Sequence, residues 1–408
     1  MRCRLRSAAG AALGLLWVLV LQPVSSAFAA AAQSSGAPLA ILYLAGAYPK
    51  AQYLSLLQTE PDDDGEAGAR LALNEINLTG RFVGRQYALD VVRLKPGADV
   101  AAEAKPLLAK FDLVIANLAA PDLMALAKTP EAKDAVILDM RTSEDFLRQE
   151  QCARNVFHLP PSTAMQADAL AQFLVAKGWR RWLLLRGPAA ADAAFADDIR
   201  LSAARFGGKI VEDRRYAYDV GARRVDTGYQ QIQRQMPLAT SSAPPHDVVA
   251  VADAADLFGD YLPYNTSESR LVVGTQGLAP VAWHPAFQEY SALQMQHRFE
   301  IAAHRPMTER DYEGWLAVRI IGEAVIRSGR TEAKSLGDFL RGDDFGVAGF
   351  KGQALNFRKW DQQLRQPLLL ATPLMVVSMS PQEGFLHPRF LTDTLGIDQP
   401  ETKCRFTQ

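Results

Sequence analysis

The chain is poor in the residues that usually announce chemistry. It has only three cysteines in 408 residues and no Cys-x-x-Cys pair. It carries no Gly-x-Ser-x-Gly elbow, no His-Glu-x-x-His, no phosphate loop and no Gly-x-Gly-x-x-Gly. Its six histidines are scattered, and His297 and His304 stand too far apart on an expected helix for an adjacent-turn metal pair. No enzyme class is therefore supported. Charge of one sign is also missing: the net charge is −1 and no basic stripe occurs, which argues against nucleic acid and anionic membrane as partners. One long apolar run exists, Ala8 to Leu21. It falls short of the ~20 residues that a membrane span requires.

That run comes after Arg2, Arg4 and Arg6 and precedes Ala27-Phe28-Ala29, the layout of a secretory signal with an A-x-A cleavage site. Cleavage after Ala29 is expected, with no lipobox cysteine, so the product is exported to the periplasm. Cys3 leaves with the signal. Cys152 and Cys404 then form one disulfide or remain two buried thiols, and an oxidising compartment favours the bridge. The chain beyond Ala29 is too long for one ordinary core, so two domains are expected.

The clearest local pattern runs from Leu39 to Arg93. The apolar runs Leu39–Ala45 and Tyr87–Arg93 read as strands, and Gly65 to Asn77 between them reads as a helix. Ala69, Leu73 and Ile76 would share its apolar face, Asp62 to Asp64 would supply a solvated N-cap, and Glu66 and Arg70 would pair at i,i+4. This is a βαβ unit with parallel strands and a right-handed crossover. The spacing Gly68-Ala69, Ala72, Ile76-Asn77 resembles the opening of the periplasmic binding proteins for branched-chain amino acids and amides.

Strands then alternate with helices. Asp112–Asn117 and Ala135–Asp139 read as strands of one unit, and Asn155 to Pro161 as a short extended piece that stops at two prolines. The pattern restarts after Pro160-Pro161 with the helix Ser162 to Gly178, and then strands at Arg181–Arg186, Lys209–Glu212, Asp247–Ala252 and Arg270–Gly274. Trp283-His284-Pro285 opens a helical stretch. Thr308 to Gly329 is the strongest helix of the chain, and the tail returns to strand. Over most of its length the chain resembles a type I periplasmic binding protein. That implies an α/β fold of two doubly wound, Rossmann-like lobes joined by three crossovers, with ligand in the cleft between them. The expected division is a signal at 1–29, lobe one at 38–159, lobe two at 160–283, a return to lobe one at 284–366, and a lobe-two strand with the tail at 367–408. The segments Trp360–Pro367, Gly384–Pro388 and Asp393–Gly396 resemble a branch that accompanies pyrroloquinoline-quinone-dependent alcohol oxidation.

The resemblance implies a monomeric solute-binding component of an ABC importer, with membrane permease subunits as partners and no bound cofactor. An accessory protein that delivers a metal or quinone cofactor to an exported dehydrogenase, and a sensor of the same fold, are the alternatives. Ligands of open α/β sheets bind beyond the strand C-termini. That selects Tyr48, Asn117, Asp139, Arg141 and Thr142 in lobe one, Arg186, Asp253 and Gln276 in lobe two, and Trp283 as a stacking surface. Amino-acid binders place a hydroxyl turn where this chain has Leu118-Ala119-Ala120-Pro121, and an acid where it has Gln276. A zwitterionic amino acid is therefore not the expected ligand. Arg141 would suit an anionic ligand or a surface ion pair. Asp139 and Asp253 would face each other across the cleft, repel, and be relieved by a hard cation such as calcium or a lanthanide. The other reading of each Asp is a helix cap or turn residue.

Overall fold

The computed structural model describes residues 37–49, 60–216 and 226–406; the expected signal at 1–29 lies outside them. The apolar runs become strands, and the central ones, such as those at Leu113–Asn117 and Val248–Ala252, are buried on both faces. In chain order, β1 (Leu39–Ala45), α1 (Glu66–Gly80), β2 (Tyr87–Arg93), α2 (Val100–Leu108), β3 (Leu113–Asn117), α3 (Ala120–Ala127), β4 (Val136–Asp139) and β5 (Val156–His158) build one parallel sheet, ordered β2-β1-β3-β4-β5. Next come α4 (Thr163–Ala176), β6 (Arg181–Arg186), α5 (Ala190–Phe206), β7 (Lys209–Arg215), α6 (Asp226–Thr240), β8 (Val248–Ala252) and β9 (Leu271–Gly274). These form a second parallel sheet, ordered β7-β6-β8-β9. The chain is thus the α/β, two-lobed, doubly wound arrangement that the alternation predicts.

The remainder is less regular than the sequence suggests. Trp283 does not open a helix: it comes after β10 (Ala279–Val281), and the helix α7 starts only at Ala292 (Ala292–Ala303). After α8 (Glu309–Ser328) and α9 (Ala333–Leu340) come the short strands β11 (Val347–Ala348), β12 (Ala354–Phe357) and β13 (Leu364–Arg365), in an antiparallel sheet of their own. The last strands, β14 (Leu368–Thr372) and β15 (Met375–Ser380), form a hairpin that takes up β10 as its third strand.

The chain passes between the sheets three times, and polar contacts bind those passages together. His158, ending β5, makes a parallel bridge with Gln363. Gln363 Nε2 donates to Pro160 O at 2.9 Å and Gln366 Nε2 to Leu159 O at 2.8 Å, so the first and third passages lie side by side. At the second passage the Ala282 N–H donates to the Glu309 carboxylate, while the Lys351 ammonium donates to the Ala282 carbonyl. Burial pushes the Lys351 amine down to about 7, against the pull of Glu313 and Glu309.

Helix α8 is capped by Thr308, whose hydroxyl accepts from Asp311 N at 3.0 Å. It crosses α1 at van der Waals distance because glycines stand at the crossing. A Cβ on Gly68 would lie 1.8 Å from the Asp311 carbonyl oxygen, and one on Gly314 would lie 2.1 Å from that of Gly65. The Asp62–Asp64 run is not the solvated cap that the sequence suggests. The N-cap of α1 is Gly65, with φ of 83° and no side-chain cap bond. Asp63 instead pairs with Arg305 at 2.9 Å, and Asp64 binds Thr308 and Arg310, so the run staples α1 to α8.

Cys152 and Cys404, 252 residues apart in sequence, are joined by a disulfide that ties the tail to the loop before β5. Gly68→Ala should destabilise the fold by roughly 2–3 kcal/mol, since the obstacle is backbone rather than a side chain that can turn away; chemical denaturation measures it. The unfolded, unreduced protein should show no titratable thiol, and reduction should lower stability by about 2–4 kcal/mol.

Candidate functional site

The C-terminal ends of β1, β3 and β4 open on a cavity of about 280 Å³, lined among others by Tyr43, Tyr48, Asp64, Asn117, Arg141 and Arg310. Position explains part of this: in open α/β sheets the loops beyond the strand ends form the crevice. Tyr48 is pinned there. Its hydroxyl donates to Asp122 Oδ2 at 2.6 Å and accepts from Ala119 N at 2.8 Å. Burial and the Asp122 carboxylate push that phenol up to about 12. The Arg141 guanidinium lies over the Tyr48 ring, 4.6 Å from its centroid. Asn117 donates through Nδ2 to the Tyr43 hydroxyl at 3.1 Å, which turns its Oδ1 toward the two guanidiniums; Arg141 reaches that oxygen at 3.1 Å and Arg310 at 3.5 Å. Burial, then the neighbouring Arg310 cation, makes the charge on Arg141 harder to hold, against the pull of Tyr48, Glu60 and Asp64.

Asp139 is not a cleft carboxylate. It is fully buried. Its Oδ1 accepts from Arg141 N and Thr142 N, both at 3.0 Å, and its Oδ2 bonds the Thr142 hydroxyl and His158 Nδ1, the latter at 2.7 Å. Burial alone would raise this carboxyl; the His158 contact, Arg148 and Thr142 outweigh it and hold Asp139 below the usual range. Asp253 is likewise fully buried. Its carboxylate accepts from Leu257 N at 2.8 Å and from Phe258 N and Gly259 N at 2.7 Å each. Burial raises it, and those three N–H groups work against the rise. Both acids spend their lone pairs largely on backbone, as turn and cap residues do, so neither the paired-carboxylate gate nor the calcium or lanthanide site stands. Among the described residues no three His, Cys, Asp or Glu side chains group closely enough to hold a metal ion.

Two further assignments change. The Thr142 hydroxyl is committed to Asp139 and the residue is buried, so it fixes the turn rather than facing a ligand. Trp283 is a core residue, 2% exposed, stacked on Tyr312 with centroids 5.0 Å apart. In the second lobe Arg186 pairs with Asp213 at 3.1 Å, and Gln276 Nε2 donates to Asp253 O at 3.1 Å. Tyr48, Asn117 and Arg141 therefore come together, whereas Asp139, Thr142, Asp253 and Trp283 support the fold. Arg310 was not legible: it sits in the first turn of α8, and only the crossing with α1 carries it to the cavity.

The model of the family described as "Periplasmic binding protein" matches residues 60–373. No curated protein matches the sequence. Three solved structures similar to this chain illustrate the fold. One is a branched chain amino acid ABC transporter periplasmic ligand-binding protein from Burkholderia xenovorans, at 13% identity over 90% of this chain and 99% of that one, TM-score 0.68. Another is an ABC transporter substrate-binding protein from Desulfitobacterium hafniense in complex with Leu, at 18% identity over 83% of this chain and 98% of that one, TM-score 0.62. The third is a solute binding protein from R. palustris in complex with benzoate, at 14% identity over 91% of this chain and 100% of that one, TM-score 0.61.

His158 carries a pH signature. Burial, with the Arg148 cation, pushes its imidazole down to about 4, although Asp139 pulls the other way. The unfolded chain takes up this proton near its ordinary pKa of ~6.5 and the native state does not. Stability should therefore fall as pH drops from ~6.5 toward 4, by up to roughly 3 kcal/mol from this residue. Burial raises Asp168 and Asp361 to about 6, which acts with the opposite sign. The informative quantity is the difference between wild type and His158→Gln: the variant should lose less stability on acidification, as measured by thermal unfolding across that window.

Proposed function

The chain belongs to the periplasmic binding protein family, and from that premise we propose that it is the periplasmic solute-binding component of an ABC-type importer. Its two lobes, which we take as 38–159 with 284–366 and 160–283 with the C-terminal segment, close on a small ligand, and the closed form docks to permease subunits. The observation that carries this reading is the cavity beyond β1, β3 and β4, where Tyr48, Asn117 and Arg141 converge with polar groups held in place before any ligand arrives. Preorganised polar groups in a concave site are what a binding cleft requires. Arg186 and Gln276 are the groups of the second lobe that we assign to the opposite wall.

The same geometry supports a ligand other than an amino acid. The turn Leu118 to Pro121 offers no hydroxyl, and its Ala119 N–H is already spent on Tyr48. The Gln276 amide is spent on the Asp253 carbonyl. Neither end of a zwitterion finds the partner that an amino-acid binder supplies. The resemblance of the tail links the protein to pyrroloquinoline-quinone-dependent alcohol oxidation, and the importer would then serve that system.

Leucine, isoleucine and valine should show no binding tighter than millimolar in calorimetry; a micromolar isotherm would overturn the exclusion of amino acids. A thermal-shift screen of alcohols and pyrroloquinoline quinone extends the search, because a ligand at ~100 Kd stabilises by about 2.7 kcal/mol. Binding should compact the protein in small-angle scattering. Ligands that bind without compaction would sink the receptor reading.

A further inference from the structure

Arg141 presents a guanidinium fork that the described residues do not complete, beside an Arg310 that is paired with Asp64. Two guanidiniums converge on one neutral acceptor, Asn117 Oδ1. A guanidinium has five N–H donors in a rigid fork that matches a carboxylate or phosphate edge. The bond to Asn117 is the one hydrogen bond that the Arg141 side chain donates among the described residues, and no described carboxylate lies within salt-bridge distance of it. Of the acids of the cavity wall, Glu66 is engaged away from the two guanidiniums, whereas Asp64 is already paired with Arg310. Glu66 accepts from Arg70 at 2.7 Å and from Arg93, and Asp64 accepts from Thr308 and from Arg310 Nε at 3.2 Å. Glu60 and Asp62 line the cavity as well.

The Arg141 guanidinium is also placed rather than free. Its backbone N–H is held by Asp139, its plane rests on a Tyr48 ring fixed by two hydrogen bonds, and its fork is aimed by Asn117. Burial and the Arg310 cation make the Arg141 charge costly to hold; Tyr48, Glu60 and Asp64 offset this without a direct ion pair, which an anion seated in the fork would supply. At about 280 Å³ the cavity takes a small molecule rather than a peptide.

Resting on the receptor reading above, we propose that the ligand is a small organic anion whose carboxylate is gripped by Arg141 and Arg310, with the Tyr48–Arg141 stack as one wall. The second lobe then closes over the uncharged end of the molecule. Specificity at this site is for the charge on the carboxylate, not for an ammonium group.

The test is calorimetry on the full exported chain with benzoate and succinate, against benzamide, succinamide and leucine, and then small-angle scattering. The acids should bind and compact the protein, and the amides and leucine should not. Arg141→Gln should weaken acid binding roughly 10- to 100-fold, the effect of losing a charge-assisted hydrogen bond. Arg141→Lys should recover only part of it, because a point charge cannot replace the fork. Arg310→Gln serves as the second variant if Arg141→Gln fails to fold, and Arg389→Gln, remote from the cavity, should leave binding unchanged. Amides that bind as well as the acids, or acid affinity unmoved by Arg141→Gln, would overturn the proposal, as would failure of both acids to bind at millimolar concentration. Compaction by leucine or an amide alone would overturn it while leaving the receptor reading intact. Binding of these compounds with no compaction would count against the receptor reading itself.

Discussion

The buried carboxylate of Asp139 is the constraint on which the rest is hung. It sits at the end of β4 with no exposed surface. An ionised carboxylate in such a place is tolerated only if its lone pairs are filled. Here they are filled by the turn that carries Arg141 and Thr142 and by His158 at the end of β5. Arg148, 4.0 Å away, adds the opposite charge and donates its other N–H groups to Thr142 O, Pro160 O and Gln363 Oε1. A single anion therefore organises two regions at once. One side of it shapes the cavity wall, and the other joins the first passage between the sheets to the third. A change that empties this site would disturb the cavity wall and the packing of those passages together.

The tail uses a related device, with two cations on one buried anion. Arg358 and Arg365, both buried, share Asp393 Oδ1 at 3.0 and 2.8 Å. The Arg358 guanidinium also reaches the Leu395 carbonyl at 2.6 Å. Asp168 on α4 accepts from Gly396 N at 2.8 Å and from Arg205 at 3.0 Å. These contacts, with the disulfide, hold an irregular C-terminal stretch that has little regular secondary structure of its own. Burial of so many charges is weak evidence for added stability, but it defines one arrangement against others, because each misplaced partner would leave a charge unpaired.

Much of the fold is legible because its signals are local. A central strand of a parallel sheet is apolar on both faces, and such runs stand out as β1, β3, β4 and β8. The caps of α4 and α8 are spelled by Ser162 and Thr308 next to their helices. The short strands β10 and β13 are not legible, since their pairing is decided by residues far off in the chain. The same limit governs the site. Tyr48, Asn117 and Arg141 can be found because strand ends point to them. Asp253 and Trp283 mislead because composition cannot say whether a side chain meets solvent or backbone. Asp64 has the look of a solvated cap, yet its partner Thr308 lies 244 positions away. Arg310 escapes notice for the same reason.

The grip on Ala282 bears on how the two sheets can turn relative to one another. A peptide unit is a rigid plane. This residue is held at its N–H by Glu309 and at its carbonyl by Lys351. The neighbouring Trp283 side chain is itself stacked against Tyr312. The second passage is thus held on the α8 side at Ala282, and on its other side β10 is held by β14, with Val281 opposite Leu369. The passage is seated at both ends, so a turn of one sheet against the other has to be taken up outside Ala279 to Ala282.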